Sequence, residues 1–292
     1  MKQALESRLK IAIRAAEQAG AVLMSHYGKL TAIEEKSPID LVTVADRQSE
    51  RAILSELRAA FPQDTFLAEE ADGRDGARAL AQRVAEIPFT WAIDPLDGTT
   101  NFAHSHLNFC VSIGLLHLGQ PVLGVVLAPA RREIFVGGQG IAATCNGMRL
   151  QVSEVGDISK ALIATGFPYD RRERLGQILL WLGRALNRAH CVRRGGSAAL
   201  DLCELAAGRL DGFYEPGLQP WDLTAGCAIL AAAGGQVTDM QGQAHQVFAA
   251  STLASNGRIH KQLLEITSIY PATDDPPIAS AAALAAPARS QP

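Results

Sequence analysis

The chain has 292 residues, 48% of them hydrophobic and 20% charged, with a formal net charge of −3 at pH 7. That is enough apolar content to bury a large core over one or two domains, and it lacks the basic excess of a dedicated nucleic-acid or polyanion binder. Five cysteines (Cys110, Cys145, Cys191, Cys203 and Cys227) are scattered without a C-x-x-C pair, which suggests neither a zinc knuckle nor a disulfide framework and leaves reduced, buried thiols as the expectation.

No stretch approaches the length of a membrane span, and the N-terminus lacks the apolar core and cleavage site of a signal peptide. A cytoplasmic protein is expected. Residues 3–27 predict an amphipathic helix, with Leu5, Leu9, Ala12, Ala16, Ala19 and Leu23 at spacings of four and three. A second helix is expected over 45–59, ending before Phe61-Pro62. Strands are predicted at 65–68, 89–93, 108–116, 121–127, 133–136 and 148–152. Leu118-Gly119-Gln120 forms a hairpin-like turn and Asn146-Gly147 another. Residues 1–155 thus read as helices followed by a largely antiparallel sheet. From 156 the pattern alternates: strand 161–165, helix 172–186, a helix from a Ser197 cap to Ala207, strand 210–214, helix 221–233, strands 236–239 and 245–250, and a last helix 258–267. The Pro-, Ala- and Ser-rich tail at 271–292 is expected to be flexible.

The most informative segment is Trp91-Ala92-Ile93-Asp94-Pro95-Leu96-Asp97-Gly98-Thr99-Thr100-Asn101-Phe102. Two carboxylates three residues apart follow an apolar run and suit a hard cation; the Gly-Thr-Thr turn offers N–H groups and hydroxyls to a phosphate. On its own, Asp97-Gly98 also suits an ordinary turn. No G-x-x-x-x-G-K-S/T is present, Gly137-Gly138-Gln139-Gly140 lacks dinucleotide spacing, and no EF-hand loop exists. The D-x-x-D spacing is one longer than the D-x-D of aspartyl-phosphate phosphatases, so Asp94 reads as a metal ligand rather than a nucleophile.

This run resembles the first signature of the inositol monophosphatase family, an apolar strand followed by D-P-I/L-D-G-T-T-N-F. Three more segments match in order. Lys36-Ser37-Pro38-Ile39-Asp40-Leu41-Val42-Thr43-Val44-Ala45-Asp46 resembles the family's K…D-x-V-T-x-x-D. Leu67-Ala68-Glu69-Glu70 resembles its G-E-E, with Ala68 in place of glycine. Pro220-Trp221-Asp222-Leu223-Thr224-Ala225-Gly226, with Gly234-Gly235 after it, resembles the second signature. The resemblance spans roughly 5–268.

It implies an α+β fold, the layered α-β-α-β-α sandwich of the sugar-phosphatase superfamily, with subdomains at 1–155 and 156–268. It also implies a Mg²⁺-dependent, lithium-sensitive phosphatase, commonly dimeric, acting on small phosphorylated polyols. Two or three Mg²⁺ per subunit would be held: one by Glu69, Asp94 and the Leu96 carbonyl, a second by Asp94, Asp97 and Asp222, and a weaker third leaning on Glu69. Asp46 and Thr99 would orient the attacking water, with Glu69 part of the catalytic set; Gly98 and Thr99 would bind phosphate. Asp97, the Ala198 N–H and Glu215 would contact substrate. From the residues alone, Asp46, Glu69 and Glu215 read as surface acids and Asp222 as a helix cap. The Tyr214-Glu215 and Asn101-Phe102 forms look closer to inositol-1-phosphate phosphatases than to the bisphosphate-nucleotide or histidinol-phosphate branches; 3′(2′),5′-bisphosphate nucleotidase or fructose-1,6-bisphosphatase activity stays open as an alternative. A regulator that binds RNA or transcription machinery is the alternative of another class. Arg131 and Arg132 have no role beyond a basic turn.

Overall fold

The structure is a computed structural model that describes residues 1–29, 34–37 and 40–268. The expected tail at 271–292, and Pro38 and Ile39 of the segment at 36–46, lie outside the described residues.

The chain opens with α1 (Lys2–His26), whose Leu5, Ala12, Ala16, Ala19 and Leu23 are fully buried, as the apolar stripe requires. A hairpin of β1 (Glu34–Ser37) and β2 (Asp40–Val42) leads into α2 (Val44–Ala60). There Thr43 and Asp46 close a capping box, the Thr43 N–H donating to Asp46 Oδ2 at 2.8 Å. Next come β3 (Thr65–Ala68), α3 (Glu69–Ala81), β4 (Thr90–Asp97), the short α4 (Thr99–Ala103), β5 (Cys110–His117), β6 (Gln120–Ala128), β7 (Glu133–Gly138), β8 (Ile141–Cys145) and β9 (Met148–Arg149). The second half supplies β10 (Leu162–Thr165), α5 (Leu175–Arg188), β11 (Cys191–Arg193), α6 (Ala198–Ala206), β12 (Gly212–Pro216), α7 (Pro220–Ala232), β13 (Gln236–Thr238), β14 (Ser251–Ser255) and α8 (His260–Thr267).

Among the described residues β3 to β9 form a seven-stranded sheet in sequential order, parallel only between β3 and β4. A five-stranded mixed sheet has the order β11-β10-β12-β14-β13. Helices α1 and α2 cover the outer face of the large sheet, burying Leu23, Ile53, Trp91, Phe109 and Val125 in one cluster. Helices α6 and α7 lie between the sheets: their Leu202 and Ile229 share a cluster with Val126 and Phe135 of the large sheet and Phe213 and Ala254 of the small one. Helices α5 and α8 cover the far face of the small sheet through Trp181, Ile163, Tyr214 and Leu263. The result is the expected α-β-α-β-α sandwich.

Some elements depart from expectation. The strand expected at 245–250 forms instead at Ser251–Ser255, and α3, β8 and β11 arise where no element was anticipated. Residues Ser251–Ser255 carry no apolar alternation because nearly all of them are buried, the pattern of a central strand. Helix α3 contains two glycines and a non-helical break at Gly73 (φ 58°, ψ −166°). β4 runs through to Asp97 rather than stopping at Ile93, and that extension shapes the site.

Candidate active site

In a regular strand, residues i and i+3 point to opposite faces. The pairing of β4 with β5 matches Asp94 to Ser112 and Asp97 to Cys110, so three steps on β4 answer two on β5. The extra residue is a bulge at Pro95-Leu96, where a proline with no N–H to give is tolerated. The bulge turns Asp97 back to the side of Asp94, and both line one cavity of about 580 Å³. Ser49 Oγ of α2 donates to the Pro95 carbonyl at 2.9 Å, and Asp94 Oδ1 accepts the Leu96 N–H at 2.9 Å. These bonds fix the bulge from both sides.

The chain then leaves β4 through Gly98, whose φ of +92° is left-handed. A Cβ there would lie 2.9 Å from the Asn108 carbonyl oxygen and 3.2 Å from that of Gly196, so glycine is needed for conformation and for space. Thr99 begins α4. Its hydroxyl sits 3.0 Å from the Leu96 carbonyl and 3.3 Å from Asp46 Oδ1. Asp46 is fully buried behind Thr99 and already accepts the Thr43 hydroxyl at 2.6 Å on its other oxygen. Burial, opposed by the Thr43 bonds, pushes its carboxyl up to about 6.

Glu69 opens α3 directly after β3, and Asp222 lies in the first turn of α7, where its Oδ2 accepts the Gln219 N–H at 2.7 Å. Both line the same cavity as Asp94 and Asp97. Burial and then the charges of Glu69, Asp97 and Asp222 hold Asp94 well above the usual carboxylate range. Burial, then Asp97 and Glu69, do the same to Asp222. Asp97 is pushed only to about 6, because Ser197 Oγ (2.7 Å) and the Ala199 N–H (2.8 Å) both donate to its Oδ2 against the effect of burial. Asp97 thereby caps the first turn of α6 from another element.

Every site residue expected from the sequence is thus placed at or directly behind one cavity. Glu69, Asp94, Leu96, Asp97, Gly98, Thr99, Ala198, Glu215 and Asp222 line it, and Asp46 reaches it through Thr99. Asp46 and Glu215 are buried, Glu215 in the cavity wall and Asp46 behind it, and are not surface acids. Among the described residues no three His, Cys, Asp or Glu side chains converge as a finished coordination shell; the acids share the cavity and repel one another.

A family model described as the inositol monophosphatase family matches residues 4–272. The chain belongs to the inositol monophosphatase family. An inositol-1-monophosphatase from Synechocystis sp. is 42% identical over 268 residues, covering 91% of both chains. The Nus factor SuhB of Escherichia coli is 38% identical, covering 88% of this chain and 94% of its own. The solved inositol monophosphatase of Anabaena (Nostoc) sp. superposes with a TM-score of 0.77 at 39% identity, over 91% of this chain and 97% of that one.

Inositol monophosphatase family members are metal-dependent, and the cavity suits a hard cation: its donors are carboxylates and the Leu96 carbonyl, with no Cys or His in the lining. Asp94 and Asp222, held up by burial and by the charges of neighbouring acids, are the electrostatic signature of a site that needs a cation. Among the described residues no helix is long and apolar enough to cross a membrane.

Sequence reasoning missed several supporting residues. Ser197 was read as a cap of α6 alone, yet it also holds Asp97. Asn101 Nδ2 donates to the Asn108 and Gly195 carbonyls at 2.6 and 3.0 Å, and Asn108 Nδ2 donates to the Gly195 carbonyl at 2.9 Å, so the loop before α6 is tied to α4 and to the loop that enters β5. Arg131 gains a role: it donates to Asn108 Oδ1 at 3.1 Å and pairs with Glu133 (2.6 Å) and with Glu204 of α6. The basic turn is therefore a brace across the sandwich. Its only sequence signal was an arginine in the β6–β7 turn, with acids at 133 and 204.

Proposed function

We propose that this protein hydrolyses phosphate monoesters of small polyols, inositol-1-phosphate foremost, with Mg²⁺ and without a covalent enzyme intermediate. The observation that carries this reading is the gathering of Glu69, Asp94, Asp97 and Asp222 from α3, β4 and α7 around one cavity beside Thr99. Glu69, Asp94 and the Leu96 carbonyl would hold one Mg²⁺, and Asp94, Asp97 and Asp222 a second, with Asp94 shared and a weaker third on Glu69. When bound, Mg²⁺ supplies an acidified water and neutralises charge on the phosphate and the leaving oxygen.

The residues of the chain do the rest. The single Thr99 proton faces two acceptors, Leu96 O and Asp46 Oδ1. With Leu96 O engaged, that proton turns to Asp46, and the Thr99 oxygen is left to accept from a water in the cavity. A threonine hydroxyl is too weak an acid to be a base itself, so it positions the water and Asp46 anchors it. Gly98 and Thr99 present backbone and hydroxyl to the phosphate; Ala198 and Glu215 meet the alcohol. The reading includes the homodimer that the family resemblance implies and the cytoplasmic location expected from the sequence.

The test is Asp94→Asn in the Mg²⁺-supplied enzyme. Phosphate release from inositol-1-phosphate should fall by more than about 100-fold, beyond what losing an outer-shell partner costs; unchanged release sinks the mechanism. A panel comparing kcat/KM on inositol-1-phosphate, a 3′,5′-bisphosphate nucleotide and fructose-1,6-bisphosphate ranks the substrates. A second reading rests on the similarity to the protein named Nus factor SuhB. A Nus-factor role would be additional to catalysis, and a cellular phenotype that survives Asp94→Asn would reveal it.

A further inference from the structure

We propose that Arg131, which lies outside the cavity lining, is a positioning residue for the second cation site: through Asn108 and Glu204 it sets the seat of Asp97. This rests on the phosphatase reading above and adds to it a residue that tunes cation affinity from a distance.

Arg131 ends a single 3-10 turn, Pro129–Arg131, between β6 and β7. Arg132 closes that turn at φ +56°, a left-handed conformation that a non-glycine residue adopts at a cost. The Arg131 side chain is 23% exposed. Its Nη1 donates to Asn108 Oδ1 at 3.1 Å, and its Nη2 pairs with Glu133 at 2.6 Å and with Glu204 of α6. Arg209 pairs with the same two glutamates, at 2.8 and 3.2 Å. The glutamates therefore keep a cation if Arg131 is lost. What Arg131 alone supplies, among the described residues, is the bond to the Asn108 side-chain oxygen.

That bond decides which way the Asn108 amide faces. An arginine has only donors, so it takes the oxygen and leaves the NH₂ to point at Gly195. Asn108 Nδ2 donates to the Gly195 carbonyl at 2.9 Å, beside Asn101 Nδ2 at 3.0 Å. Gly195 and Gly196 have wide backbone freedom and no side chain to anchor them, so their place rests on what holds that carbonyl. Ser197 follows, and its hydroxyl and the Ala199 N–H hold Asp97 Oδ2 at 2.7 and 2.8 Å. Glu204 stands on α6 two turns after Ser197, so Arg131 grips the same helix at a second point. With the amide reversed, the Asn108 oxygen would face the Gly195 oxygen, two acceptors with no proton between them. The glycine pair would lose its anchor, and Asp97 its fixed orientation toward a cation.

The experiment uses the full chain with Arg131→Met, Asn108→Ala, the two combined, and Arg209→Met, which loosens the same glutamates without touching Asn108. Each is read twice: by the Mg²⁺ concentration that half-saturates phosphate release from inositol-1-phosphate, and by the Mg²⁺ concentration at which the melting temperature starts to rise above its value in chelator. Arg131→Met should raise both about 3- to 10-fold, at or below the lower end of what losing an outer partner of a metal site costs. KM for inositol-1-phosphate at saturating Mg²⁺ should stay unchanged. Asn108→Ala should match Arg131→Met, and the combination should do no more than either alone, because both break one line of contacts. Arg209→Met should lower the melting temperature in chelator and leave both Mg²⁺ values in place. An unmoved Mg²⁺ requirement in Arg131→Met, an equal rise in Arg209→Met, or additive losses in the combination would each overturn the proposal. If Arg131→Met does not fold, Asn108→Ala, with its ion pairs intact, decides alone, and an unmoved Mg²⁺ requirement there overturns the proposal. A wild type that releases no phosphate from inositol-1-phosphate at any Mg²⁺ concentration would instead overturn the phosphatase reading beneath it.

Discussion

At the scale of single residues, the site is an electrostatic liability that the fold has accepted. Burial pushes Glu215 up to about 8, with Arg194 opposing it and Asp97 adding to it. Asp94, Asp201 and Asp222 are raised in the same direction. A carboxyl whose folded value lies above its unfolded value of about 4.3 stabilises the fold fully below that value, and the contribution is lost as pH rises through the folded value. The metal-free protein should therefore melt lower at about pH 8.5 than at about pH 6.5, the range that brackets Glu215. This window avoids His245, pushed down to about 4 by burial, and His260, lowered likewise, because they cost stability only as pH falls below the usual histidine value. Glu215→Gln should flatten the decline. Thermal melts of both proteins in chelator check this, and identical slopes would contradict it.

At the scale of elements, α7 carries the second half of the site and its seat is cut into the large sheet. A Cβ on Gly124 of β6 would lie 2.1 Å from the Ala225 carbonyl oxygen, and one on Gly114 of β5 would lie 2.5 Å from Thr224 Cβ. The helix backbone thus rests directly on the sheet, with Asp222 two residues before Thr224. Gly124→Ala forces α7 away from β6. Overpacking of this kind costs about 1–3 kcal/mol, and a shift near 1 Å at a catalytic group costs about 100-fold in rate. Gly124→Ala should therefore lower the urea midpoint and, in the fraction still folded, depress Mg²⁺-dependent phosphate release; an active enzyme of unchanged stability would refute the seating argument. The sequence showed α7 clearly, because ten of its residues are apolar or small and buried on every side. It showed the Asp94–Asp97 pair but not the bulge between them, since period-two reading cannot anticipate an inserted residue. Strand β14 went unseen because buried Ser and Thr are no sign of a strand without the neighbours that pair with them. Helix α3 was hidden by its poor propensity, with Gly73 and Gly76 inside it. Roles for Asp46, Glu69 and Asp222 came from the matched family segments; local pattern alone gives ordinary surface acids and a cap.

At the scale of the whole molecule, the site depends on layers that the chain order separates. Glu69, Asp94 and Asp97 come before residue 155 and Asp222, Asp201 and Glu215 after it, yet the central core mixes Val126 and Phe135 with Leu202, Ile229, Phe213 and Ala254. Without α6 and α7 the inner face of the seven-stranded sheet would stand open to water, and without that sheet α7 would lose the surface it rests on. Two halves that complete each other's core cannot hold separate stabilities. The three tryptophans report on the layers independently: Trp91 belongs to the cluster under α1 and α2, Trp221 to the central cluster, and Trp181 to the cluster under α5. Variants that keep one tryptophan each, the others replaced by phenylalanine, should therefore give coincident changes along the sandwich. Each variant's fluorescence midpoint in urea should match its own far-UV circular dichroism midpoint, the criterion of a two-state transition. A Trp91 signal that moved before or after the circular dichroism, with Trp181 moving apart from it, would mean that the outer layers unfold separately. The metal site would then lie between two independently stable units and would not be built into a single one.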